Sequence, residues 1–195
     1  MYTEVSTKAS PLYINIESEN YLSLFCNQLE PYLEALLPYH NHELVIVCIG
    51  TDRATGDSLG PLVGYKLPPL NYEKVNCYGT LDEPVHAKNL EETIQLIQAK
   101  HPTALVIAID ACLGASTNIG CVTIGEGAIY PGAGVKKDLP PIGHIHITGI
   151  VNFSSMMNMV VLQNTRLSLV MKMADSIAMG LKHCLWRYYK NNTVH

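Results

Sequence analysis

Two apolar runs constrain this chain most: LVIVCI at residues 44–49 and ALVIAI at residues 104–109. Neither alternates with polar residues, so each reads as a strand buried on both faces. Such strands belong to parallel sheets, which need crossover helices. Helical patterns do alternate with the runs. The spacing predicts a helix over 17–37 that Pro31 breaks or kinks, a short helix over 58–66 stopped by Pro68 and Pro69, and an amphipathic helix over 90–99. Further strands are expected at 74–78, 118–124 and 144–151, and a long helix from 154 to about 189, interrupted near Gly180. Residues 1–15 show no clear period. The expected fold class is α/β, a mostly parallel central sheet covered on both faces.

A chain of 195 residues suits one domain, here 1–195 with a helical segment, 1–40, packed on it. With 48% hydrophobic and 15% charged residues it has the means to build a large core. A net charge of −4 argues against sequence-independent nucleic-acid binding, which needs a basic surface. No apolar run has the length of a membrane helix, and the opening MYTEVS is not a signal peptide. The six cysteines form no C-x-x-C pair, so reduced thiols and a cytoplasmic location are expected.

Each apolar run leads to an acid. Asp57 lies in GTDRATGDSLGP at 50–61, just before a helix; Asp110 ends the second run. In a parallel sheet both carboxylates reach the carboxyl ends of strands, where open α/β sheets bind ligands. Two such carboxylates can share the work on one water, one charged as base and the other protonated as acid. Alternatively both hold a divalent metal that activates the water. The plain alternative is that Asp57 caps the helix and Asp110 bonds loop amides. The 50–61 loop lacks the G-K-[ST] and G-x-G-x-x-G patterns of nucleotide sites.

GTDRATGDSLGPLVG, VIAIDACLGAS, YPGAGVKK and ITGIVN…VLQNTRL closely resemble the YyaC-like sporulation proteins of endospore-forming Firmicutes, over residues 43 to 180. That family is similar, more distantly, to spore germination proteases. Gly50, Thr55, Asp57, Leu59, Gly60 and Pro61 match their first motif, with Gly56 in place of a proline; Ile109, Asp110, Ala111 and Ser116 match the second; Pro131, Gly132, Gly134 and Val135 match a loop. The resemblance implies a phosphorylase/hydrolase-like three-layer sandwich with Asp57 and Asp110 catalytic. A protein or peptide substrate such as a spore protein goes with it. The expected substrate-binding rim is Asp52, Arg53, Gly56, Ser58, Gly132 and Gly134, the alternative for Asp52 and Arg53 being a solvated loop pair.

The hydrogenase maturation endopeptidases resemble it too; they bind nickel through a Glu, an Asp and a His. Here the histidine's place falls near Asn152, so no cofactor is expected, the alternative being a divalent metal on Asp57, Asp110 and either His144 or His146. The expected function is a sporulation-associated endopeptidase. The alternatives are a metal-dependent maturation-type peptidase and a non-catalytic spore protein that binds a partner.

Other residues have plainer readings. Ser58 and Cys112 lack a His–Asp partner and are expected to be structural. Asp82, Glu83 and His86 are expected on the solvated surface, although they could rim the site. The methionines at 156, 157, 159, 171, 173 and 179 are read as core, with an oligomer face second.

Overall fold

The computed structural model describes residues 11–68, 70, 72–131 and 139–192. Among them are six strands: β1 (Ile14–Asn15), β2 (Leu44–Cys48), β3 (Val75–Tyr78), β4 (Leu105–Gly114), β5 (Cys121–Glu126) and β6 (Ile145–Phe153). They form one sheet in the order β1-β5-β6-β4-β2-β3. β3, β2, β4 and β6 are parallel, while β5 runs antiparallel to β6 and β1 antiparallel to β5.

All five residues of β2 are buried. The pleat sends Leu44, Ile46 and Cys48 to one face and Val45, Val47 and Ile49 to the other. The first face packs under α1 (Tyr21–Leu36), α2 (Leu59–Lys66) and α5 (Leu167–Asn192); the second packs under α3 (Leu90–Lys100). This explains why the apolar run does not alternate. The expected α/β architecture, helices on both faces of a mostly parallel sheet, is what the chain adopts.

Winding reverses beside β2. β3 adds on one side, and the chain then crosses back over α3 to place β4 on the other. The carboxyl ends of β2 and β4 are therefore neighbours at a switch point: Cys48 pairs with Ile109, and the Ile49 N–H donates to the Ile109 carbonyl at 2.7 Å.

Two local expectations are refined and two corrected. Pro31 sits inside α1 without ending it. The 118–124 strand exists as β5 but is antiparallel, and β1 pairs with it from a segment without pattern. The C-terminal helix breaks at 164–166, not at Gly180, giving α4 (Asn158–Gln163) before α5. A Cβ at Gly180 would lie 2.5 Å from Phe25 Cδ1, so this glycine makes room for α1. Of the methionines read as core, only Met173 is fully buried; Met156, Met157, Met159 and Met179 are exposed. The break explains three of them, because α4 buries only Leu162. Among the described residues no helix is long and apolar enough to cross a membrane.

Candidate active site

Asp57 sits in a single 3-10 turn, Gly56–Ser58, between β2 and α2. The loop doubles back on the strand end, with the Thr51 N–H donating to the Asp57 carbonyl at 3.1 Å. Gly50 permits this: its φ is +140°, and a Cβ there would collide with that carbonyl. The Asp57 side chain does not cap α2, whose N-cap is Ser58 and whose first turn has no side-chain cap. The capping role is thus absent, and the carboxylate stays half-buried.

Asp110 lies in β4 opposite Thr148 of β6. It is half-buried, and its Oδ1 accepts from the Ala111 N–H at 2.8 Å. Burial pushes the Asp110 carboxyl well above the ordinary carboxylate range, and the Asp57 charge pushes it further, against the Ala111 amide. Burial also raises Asp57, but the Thr51 amide and His86 pull it back. Both carboxyls are held above the ordinary range, Asp110 the more strongly, so a proton shared by the pair rests on Asp110.

The histidine at this end of the sheet is His86. Val85 bridges Ile49, and the Gly50 N–H donates to the Val85 carbonyl at 2.8 Å, stitching the loop after β3 to the end of β2. Asn89 locks the turn: its Oδ1 accepts from the His86 N–H at 2.8 Å, and its Nδ2 donates to the Pro84 carbonyl at 3.0 Å. His86 is half-buried, and its Nδ1 is buried without a hydrogen-bond partner. The expectation of a solvated surface is therefore corrected for His86, while Asp82 and Glu83 are exposed. The available signal was its place in the loop after a parallel strand. Nothing in the sequence marked Asn89.

The structure does not bring His144 and His146 to the aspartates. The His144 Nδ1 accepts from the Val106 N–H at 2.9 Å, and its ring lies 4.8 Å from that of His40. His146 pairs with Ala108, two residues short of Asp110, and its Nδ1 lies 3.0 Å from the Gly127 carbonyl. A parallel strand carries residues before Thr148 toward the amino end of the sheet, which is why both histidines miss the site. Asn152 is engaged elsewhere: its Nδ2 donates to Thr165 Oγ1 at 3.2 Å, and its Oδ1 accepts from the Phe153 N–H at 2.9 Å.

Among the residues expected at a substrate rim, Asp52 and Arg53 are exposed on the loop, and among the described residues Arg53 forms no ion pair. Ser58 is buried with its Oγ donating to the Thr55 carbonyl at 2.6 Å, which fits its expected structural role and corrects its place on the rim. Gly56 is buried as well; a Cβ there would lie 2.8 Å from Leu162 Cδ2 and 2.9 Å from Thr165 Oγ1, so it makes room for α4 rather than for substrate. Gly132 and Gly134 lie outside the described residues. Burial holds the Cys112 thiol above its ordinary range, with Asp110 adding to the effect against Thr148. That makes it a poor nucleophile.

The comparisons bear on this arrangement. Residues 13–180 match the model of a family described as "Protein of unknown function (DUF1256)". The chain belongs to the DUF1256 family. It is 56% identical, over 154 residues, to the Bacillus subtilis (strain 168) protein described as "Uncharacterized protein YyaC", spanning 77% of this chain and 75% of that one. Its fold is similar to that of the [NiFe] hydrogenase maturation protease HycI from Thermococcus kodakarensis KOD1, with a TM-score of 0.55 and 19% identity over 80% of this chain and 97% of that one.

The alternative of a divalent metal at this end of the sheet depends on which donor atoms converge. Among the described residues, one set of three His, Cys, Asp or Glu donor atoms lies within 4.8 Å of one another: Cys26, Glu30 and Cys184, on α1 and α5. Among the described residues, Asp57, Asp110 and His86 do not converge in this way, and the Asn152 amide is already bonded to Thr165.

Proposed function

We propose that this chain is an endopeptidase that cleaves a protein substrate with Asp57 as base and Asp110 as acid on one water. The observation that carries the reading is the meeting of two carboxyls from distant segments at the switch point, with Asp110 held above the ordinary carboxylate range more strongly than Asp57. Asp57 takes a proton from the water as its oxygen bonds to the scissile carbonyl carbon. Asp110 gives its proton to the carbonyl oxygen. When the C–N bond breaks, the proton on Asp57 passes to the leaving amine and Asp110 recovers its own. The likeness in fold to a maturation protease supports peptide hydrolysis, as do the motifs shared with germination proteases.

A protein substrate is supported by the exposed Phe153, Met156, Met157, Met159 and Val160, on the segment whose Leu162 packs against Gly56. A run of exposed apolar side chains suits an unfolded stretch of chain. The exposed Asp52 and Arg53 would hold its polar groups. The resemblance to YyaC-like proteins supports the cytoplasm of a sporulating cell as the setting.

The test is a search for new peptide termini by mass spectrometry. Purified protein is incubated with sporulating-cell extract beside an Asp110→Asn control, with and without a chelator. New termini with the wild type alone, unaffected by chelator, are expected. Termini lost to the chelator would mean a metal enzyme. None over a range of pH would mean a protein that binds without cleaving.

A further inference from the structure

Away from the aspartates, α1 and α5 bury a cluster that the proposed activity does not use. Cys26 and Glu30 stand four residues apart on α1, hence on one face, and α5 delivers Cys184 against them. The two sulfurs are 3.2 Å apart, and with a Glu30 oxygen all three donor atoms lie within 4.8 Å of one another. Cys26 is 2% exposed and Cys184 0%. Two buried polar atoms at this place lack a hydrogen-bond partner among the described residues. Glu30 Oε1 is one, held only by an ion pair with Arg187, whose Nη1 is 3.3 Å away. The Tyr21 hydroxyl, on a residue 4% exposed, is the other, and it lies near both sulfurs. Buried polar groups left unpaired are costly and call for an explanation such as an unseen ion.

We propose that Cys26, Glu30 and Cys184 bind one thiophilic divalent cation of the zinc class and so clamp α1 to α5. Two thiols and a carboxylate are the donor set such a cation selects over magnesium or calcium. Binding releases both thiol protons. A 2+ ion on two thiolates and one carboxylate leaves one negative charge, which Arg187 beside Glu30 offsets. The Tyr21 O–H gains a thiolate acceptor or an open position on the metal. The sulfurs need only part from 3.2 Å to about 3.7 Å, the spacing that two zinc–sulfur bonds impose at a tetrahedral angle. A surface cleft lined by Glu30, Glu34, Arg187 and Tyr188 lies on the Glu30 side of the cluster. Because the ion displaces thiol protons, affinity falls as pH falls.

The test is a cobalt titration of the full chain, reduced and freed of metal. One cobalt per chain with a thiolate-to-cobalt charge-transfer band, displaced by zinc, is expected. Cys184→Ser should abolish the band. Glu30→Gln, which leaves the apolar core intact, should weaken binding about tenfold or more. No band from natively folded wild type would overturn the proposal, as would an undiminished band from Cys184→Ser. So would a Cys26–Cys184 disulfide in freshly purified protein, which would make the pair a redox staple instead.

Discussion

Asp57 and Asp110 differ in what surrounds them more than in what they are. Asp110 has burial and a like charge acting in the same direction; Asp57 has an amide and His86 working against burial. Replacing either with Asn should lower the turnover of a peptide found in the extract search by about 10²- to 10⁴-fold, the usual contribution of a positioned acid or base. His86→Ala removes a charge that favours ionised Asp57. The acidic limb of the pH–rate profile should therefore move to higher pH, and an unmoved limb would remove His86 from the site. The pair also makes a statement about stability. A carboxyl raised in the folded state contributes stability that is fully present below its unfolded value, about 3.9, and is lost as pH rises toward the folded value. Asp110→Asn abolishes that loss. Its melting temperature should exceed that of the wild type at neutral pH, and the gap should close in acid.

Elements explain where the site's walls come from. The segment 154–165 is held at few points: Leu162 against Gly56, Thr165 Oγ1 on the Val161 carbonyl at 2.9 Å, and the Asn152 amide on Thr165. α1 and α5 are held by close packing at Gly180. Gly180→Ala gains up to about 1 kcal/mol of helix propensity but drives a methyl into the Phe25 ring, and overpacking costs about 1–3 kcal/mol. A net loss in urea unfolding is expected, and a gain would show that α1 shifts without cost. Gly180 also shows why helix breaks are hard to place. A glycine mid-helix looks like a break in the sequence, whereas here it is an approach point between helices. The true break, at 164–166, carries no Gly or Pro.

Over the whole molecule, burial is uneven. β2 is buried throughout and paired on both sides, whereas α4 buries one residue. Amide hydrogen exchange should be slowest in 44–48 and 105–109 and fastest, among the regular elements, in 158–163. Equal protection would mean that something covers α4 in solution.

The sequence by itself determined the parallel centre and the two acids that end it. A strand buried on both faces must be apolar at every position, and that requirement is local enough to be written in six residues. It did not determine which histidine joins Asp57, because His86 arrives through a bridge between Ile49 and Val85, while His144 and His146 are carried to the far end by strand direction. Nor did it reveal the direction of β5, the break before α5, or the meeting of Cys26 with Cys184. Each of these depends on contacts between segments distant along the chain, where neighbouring residues leave no periodic trace. Local burial patterns are set residue by residue; the partner across a sheet or a helix pair is set only when the chain has packed.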